Sequence, residues 1–396
     1  MHTLNWSQSV TPSEKVVIAL IRSNQAFIRC LDEMKICNQL PDEMELVDYL
    51  IWNKLIPIFY TSIIHNKLLD EYFTSDFLEE LKALYRVSIL KHLNLESVFR
   101  IIAPLLHQEG INFIAFKGIV LSQQVYATPS LRPMLDIDIL VSPADLNKAK
   151  TTLLDLGAVS MYEVESKHTM GKWRHLPPLV YRDIPIELHQ QLFLSHEESY
   201  LTEAEIIPKL VPEQIYETSC EALSPEHHLF YLIYHLHKHV MQDYIRLIWL
   251  LDIRLFWEKY QATFHMKEFK EILDRTNGVY NSSLDAIQKI LDITIIEQPE
   301  GPDKQNNDEM VLQYLSRCNS KGHLKQRIKS VKAIQKIHGI KNKLWFISGR
   351  LFPNPSYVAS KYKISHQFLI PLYYPKIYAG YFQKLAKVLW SKVQSN

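Results

Sequence analysis

Residues 116–141 read FKGIVLSQQVYATPSLRPMLDIDILV, and two aspartates, Asp136 and Asp138, interrupt an apolar run one residue apart. A carboxylate is costly among such neighbours unless it is paired or bound to a cation. The segment DIDILV, closed by Ser142-Pro143, has the β-branched composition of a short strand. Residues i and i+2 of a strand share a side, so Asp136 and Asp138 are expected to project together, with Ile137 and Ile139 on the buried side. Two adjacent carboxylates repel each other unless a cation sits between them, and oxygen ligands suit a hard divalent ion. Taken alone, an Asp-x-Asp pair reads more readily as a solvated strand end or an N-cap-like turn.

Working outward, INFIAF (residues 111–116) is a short apolar strand ending at Lys117-Gly118, and IVLSQQVY after it is helical. Backbone N–H groups at a helix start attract anions; Gly118 allows close approach and Lys117 adds charge. SPADLNKAKTTLLDLG forms a capped amphipathic helix ending at Gly157. PLVYRDIPIELHQQLF predicts a hairpin with strands near 178–182 and 184–190. There Glu187, between Ile186 and Leu188, supplies a third carboxylate. The order β-α-β-α-β-β gives an α+β protein with a small mixed sheet. Three acids on neighbouring strands suit two metal ions, about 3.5–4 Å apart, which clamp an attacking and a leaving phosphate oxygen. A phosphate turn beside them completes the parts needed for phosphoryl or nucleotidyl transfer.

The flanks are helical. Residues 1–108 form an N-terminal helical region, with Ser75 as N-cap of a long helix ending near Gly110 and Pro104 as a kink or break. Residues 109–195 form the α/β core, 196–300 a helical domain packing on it, and 301–396 a basic helical region. Only 10 glycines in 396 residues fit long helices better than a turn-rich barrel. Cys30, Cys37, Cys220 and Cys318 show no zinc or C-x-x-C spacing. With no apolar leader and no stretch of about 20 apolar residues, the expectation is a cytoplasmic protein without a transmembrane segment. No acid follows Glu309, and the last 87 residues carry 16 Lys and Arg, leaving 28 basic against 43 acidic residues before them. Region 310–396 therefore either meets an anionic partner or docks on the acidic body.

The ordered set Lys117-Gly118, Leu121, Tyr126, Pro129, Leu131-Arg132-Pro133-Met134, Asp136-Ile137-Asp138, His175-Leu176-Pro177 and Glu187-Leu188-His189 resembles the DNA polymerase β-like nucleotidyltransferase superfamily. It is most similar to a bacterial branch of uncharacterised nucleotidyltransferases, over roughly residues 80–260. The resemblance implies a polymerase β-like core in which Asp136, Asp138 and Glu187 are catalytic and hold two Mg²⁺ ions, or Mn²⁺ in their place. It also implies that Lys117, Gly118, Arg132 and His189 contact the nucleotide or its phosphates, and that Lys238, His239, Arg246 and Asp252 line the cleft. Arg132 reads either as a phosphate clamp or as a structural arginine holding the loop to Asp136 or Asp138. Two departures stand out. Ile119 follows Gly118 where the superfamily has Gly or Ser, and Glu187 replaces the commoner Asp.

The expected activity is transfer of an NMP from an NTP to an acceptor (small molecule, RNA or protein), with release of pyrophosphate. The alternative is a non-catalytic protein of the same fold that binds nucleic acid or an anionic surface through its basic C-terminal region. His227, His228, His235, His237 and His239 lie on a helix without the H-E-x-x-H spacing of a zinc site, so they read as structural.

Overall fold

The computed structural model describes residues 10–161, 176–193, 200–242 and 244–297, together with Tyr314, Cys318 and Tyr373. The basic region expected to meet an anionic partner and His175 lie outside the described residues, apart from those last three positions.

Helix starts follow local capping chemistry. Thr11 and Glu14 form a capping box at α1 (Pro12–Arg22), and Ser23 caps α2 (Asn24–Ile36). Asp42 accepts from Glu45 N at α3 (Glu43–Asn53). The helices α4 (Ile56–His65) and α5 (Leu69–Tyr72) follow. The long helix α6 (Ser75–Gln108) is capped by Thr74, one residue before the expected Ser75, and runs through Pro104 without ending. At about 1.5 Å per residue it is long enough to reach two cores. Phe77 and Leu81 belong to one, and Leu95, Phe99, Ile102 and Leu106 to the other.

The second core belongs to the sheet. Its strands are β1 (Phe113–Ala115), β2 (Ile137–Val141), β3 (Val159–Ser160), β4 (Leu179–Tyr181), β5 (Ile184–His189), β6 (Val211–Ile215) and β7 (Thr218–Ala222). Their order is β3-β4-β5-β2-β1-β7-β6. β2 runs antiparallel to β1 and parallel to β5, so the sheet is mixed and the chain is α+β, as the element order predicts. Helices α7 (Gly118–Gln124) and α8 (Leu146–Asp155) make the connections around β2. The β4–β5 hairpin turns on Arg182 and Asp183, both at positive φ (48° and 65°), which matches the right-handed twist of the strands.

The sheet continues past residue 195. After the short α9 (Glu203–Ile206), the β6–β7 hairpin pairs with β1. The stretch read as a helical domain thus begins by extending the sheet. Pro212 sits in β6, the edge strand, where its missing N–H does no harm.

Helices α10 (Pro225–Val240), α11 (Leu247–Tyr260), α12 (Met266–Asp274) and α13 (Asn281–Leu291) then bury their apolar faces against α1–α4. The two flanks of the sheet therefore share one helical core. Among the described residues no helix is long and apolar enough to cross a membrane. All four cysteines are free thiols.

Candidate active site

The site is built on the central strands. In the parallel β2–β5 pair Asp138 lies opposite Glu187, and Leu140 opposite His189. Strand alternation puts Glu187 and His189 on one face of β5, beside Asp138. His189 Nε2 is 2.9 Å from Asp138 Oδ1 and 3.4 Å from Glu187 Oε2. Both neighbours are carboxylates that accept when ionised, so the favourable tautomer carries its proton on Nε2. The ring is fully buried, and Phe116 meets it edge-on with centroids 4.9 Å apart.

Lys117 closes the opposite side. Its Nζ lies 2.6 Å from the same Asp138 Oδ1. The residue follows β1 and precedes α7 at φ 57°, ψ −132°. A non-glycine backbone held there is strained by about 1–3 kcal/mol, and this strain sets the lysine beside Asp138. Burial by itself would raise the Asp138 carboxyl; the Lys117 ammonium and His189 outweigh it and hold the carboxyl well below the usual range.

Asp136 sits one residue before β2 begins and is half-buried. Burial, then the charge of Asp138, pushes its pKa up to about 6, while Lys54 pulls it back down. Among the described residues, the ligand atoms that gather within 4.8 Å of one another belong to Asp138, Glu187 and His189. The expected trio of Asp136, Asp138 and Glu187 thus differs by one member. The cause is that β2 starts at Ile137, so strand geometry does not fix Asp136. This donor set fits a divalent cation: two carboxylates and an imidazole converge, and the proton on His189 Nε2 can move to Nδ1 to free a ligand lone pair.

Arg132 goes elsewhere than either sequence reading placed it. Its Nε and Nη2 donate to the two oxygens of Asp252, at 2.8 and 2.6 Å. Tyr126 donates its hydroxyl to Asp252 Oδ1 at 2.7 Å. All three residues are buried, and a bidentate pair satisfied in this way outcompetes a more exposed partner. The network pins the loop before β2 to α11. It also explains Gly118, because a Cβ there would collide with the Arg132 guanidinium and crowd Met134. Of the other cleft residues implied by resemblance, Asp252 is thus a buried anchor and Arg246 a half-buried cation.

The family model described as an uncharacterised nucleotidyltransferase matches residues 40–278, well over half of the chain. The chain belongs to this nucleotidyltransferase family. No curated protein is significantly similar to it. Among the solved structures that match, two are of weak likeness. The antibiotic-resistance factor ANT(2'')-Ia is 10% identical with a TM-score of 0.34, covering 48% of this chain and 95% of that one. An antigenic nucleotidyltransferase-like protein from Paracoccidioides brasiliensis is 15% identical with a TM-score of 0.30, covering 51% of this chain and 94% of that one. Likenesses this weak add nothing to the family assignment.

One residue of this nucleotidyltransferase escapes sequence reading. Lys54, at the end of α3, lies in the field of Arg246, Asp136, Arg132 and Asp252. Nothing in LIWNKLIP marks it, because its neighbours are brought up by the packing of α3 on α11. Two of the α10 histidines have packing partners away from the carboxylate cluster: His227 Nε2 lies 3.1 Å from Glu268, and the His228 ring meets Phe256 at 4.9 Å.

Proposed function

We propose that this nucleotidyltransferase moves an NMP from an NTP to an acceptor, releasing pyrophosphate, with divalent cations, Mg²⁺ foremost, held by Asp138 and Glu187 with Asp136 and His189 beside them. The observation that carries the reading is the register of Asp138 with Glu187 on parallel strands, with His189 Nε2 within reach of both. When bound, a divalent cation would offset charge on the α-phosphate and favour ionisation of the acceptor hydroxyl.

The chain's own residues divide the remaining work. Asp138, kept ionised by Lys117 and His189, supplies a permanent negative charge. Glu187 has a side chain 22% exposed, against 6% for Asp138, so it is the carboxylate an acceptor can reach. It takes the hydroxyl proton as the acceptor oxygen bonds to the α-phosphorus. The α–β bridging P–O bond breaks, and pyrophosphate leaves with the electron pair. Lys117, on a strained turn beside Gly118, transfers its ammonium from Asp138 to a phosphate oxygen.

The test is a thermal-shift titration of the full chain with ATP, CTP, GTP and UTP in Mg²⁺, followed by pyrophosphate release with candidate acceptors. At least one NTP should raise the melting temperature of the wild type and fail to do so for Asp138→Asn. No stabilisation by any NTP, or an identical response of Asp138→Asn, overturns the reading.

A further inference from the structure

Two inward-facing cations near Gly118 have an acid: Lys117 has Asp138, and Arg132 has Asp252. Two others, Lys54 and Arg246, are placed differently. Among the described residues neither Lys54 nor Arg246 forms an ion pair, and Arg246 Nε is buried without a hydrogen-bond partner. A hydrogen bond between their chain neighbours brings the two segments together. Asn53 Oδ1 accepts from Leu247 N at 2.9 Å, locking the residue before Lys54 to the residue after Arg246. The Arg246 guanidinium lies over Trp52 at 5.7 Å and Tyr244 at 5.3 Å, which fixes its plane.

These aromatic contacts and a side-chain hydrogen bond to Tyr244 hold Arg246, but among the described residues neither cation is matched by an ion-paired carboxylate. Two like charges brought together raise the energy of the folded state. Lys54 also occupies a left-handed backbone position (φ 58°, ψ 34°) at the end of α3, where glycine or asparagine is the comfortable residue. Lys67 ends α4 the same way at φ 56°, but its side chain is exposed to water. The Lys54 ammonium is instead half-buried, with burial as the main force acting against its charge and Arg246 the next. The acid nearest in field is Asp136; the other one, Asp252, is already occupied by Arg132. An arriving oxyanion would relieve both costs at once, accepting from the buried Nε and from the ammonium.

We infer that Lys54 and Arg246 form a phosphate-binding subsite on the Asp136 side of the carboxylate cluster, separate from the Lys117–Gly118 turn. The ligand chemistry is a phosphate oxyanion on a substrate, and this inference rests on the nucleotidyltransferase reading for which substrate that is. Two sources fit: the β- and γ-phosphates of the nucleotide, or a phosphate on the acceptor. Both residues come from helix ends, and Asp136 relates them to the sheet.

The experiment is calorimetric titration of the full chain with inorganic phosphate and inorganic pyrophosphate in metal-free buffer. The wild type should bind at least one of them. Lys54→Asn and Arg246→Gln should each weaken that binding by about tenfold or more, and Lys67→Asn, at the exposed left-handed lysine, should retain it. Lys54→Asn suits the left-handed position, so its melting temperature should equal or exceed that of the wild type; a lysine needed for structure would give a lower one. Repeating the titration with a non-hydrolysable NTP analogue and Mg²⁺ bound separates the sources. Blocked phosphate binding assigns the subsite to the nucleotide, and continued binding that depends on Lys54 assigns it to the acceptor. No phosphate or pyrophosphate binding by the wild type, or binding undiminished in both variants, overturns the inference. Lack of nucleotide turnover would strike the proposed reaction and leave these binding results standing, so the two fail separately.

Discussion

Two buried cation–carboxylate pairs lie near Gly118, and they are built differently. Arg132 grips both oxygens of Asp252, Tyr126 adds a third bond, and none of the three reaches water appreciably. Lys117 touches one oxygen of Asp138, through a flexible stem whose side chain is 16% exposed. The first pair is closed and has no capacity for a ligand. The second is open: an ammonium is a point charge that can leave without breaking a planar fork. Position in the chain would suggest the reverse, because Arg132 lies nearer in sequence to the Asp136–Asp138 motif than Lys117 does. What separates an anchor from a working pair here is the geometry of the contact.

The comparison is broken most forcefully from the closed side. Arg132→Met leaves the Asp252 carboxylate buried with only Tyr126, so unfolding free energy should fall by about 3–5 kcal/mol. Urea denaturation measures this. The double variant Arg132→Met/Asp252→Leu removes both charges and should recover most of the loss. If the single and double variants are equally unstable, the pair is not the anchor described.

On the open side, Asp138→Asn should cost less stability than Arg132→Met, because the amide oxygen can still accept from Lys117 and His189. Its larger cost should fall on catalysis, with turnover reduced about 10²–10³-fold, equivalent to about 2.7–4 kcal/mol at the barrier. Pyrophosphate release under saturating NTP reads the effect. A variant that unfolds but keeps its specific activity would invert the comparison.

Gly118 touches both pairs, so its replacement sharpens the contrast. Gly118→Ala drives a methyl group into the Arg132 guanidinium and Met134, an overpacking cost of about 1–3 kcal/mol. Combined with Arg132→Met, the alanine should cost much less, and the two changes should be strongly non-additive in denaturation. Additive effects would show that Gly118 serves something other than room for Arg132.

How much of this was legible in the sequence depends on the range of the forces involved. The strand carrying Asp138, the Lys117-Gly118 turn and the β4–β5 hairpin are set by local alternation and turn chemistry, and all appear where expected. The closeness of Glu187 to Asp138 also follows, once β5 lies beside β2. The β6–β7 hairpin was not visible: each strand has only five residues, two of them exposed, and Pro212 argues against a strand. Arg132 found a partner 120 residues away, and Lys54 acquired its surroundings only through helix packing. That the buried His189 ring faces two acids follows from the register of β5 on β2 and not from its local sequence.

The smallest effect expected comes from proton linkage at Asp136. Its folded-state pKa of about 6 stands above the ordinary 3.8, so between those values the native chain keeps a proton that the unfolded chain has released. The stability this contributes is fully present below pH 3.8 and is lost as pH rises through 6. Asp138, shifted the other way, loses its contribution only in stronger acid, so it leaves the window between pH 4 and 6 to Asp136. In metal-free buffer the melting temperature should therefore carry a downward component from pH 4 to 6, of about 1 kcal/mol or less after allowance for solvent screening of a half-buried group. Asp136→Asn should remove that component, and Asp138→Asn should shrink it, because the Asp138 charge is one of the forces raising the Asp136 pKa. If Asp136→Asn leaves the slope unchanged, the Asp136 carboxyl is not held up as described; if Asp138→Asn leaves it unchanged, the two aspartates do not act on each other and do not form one site.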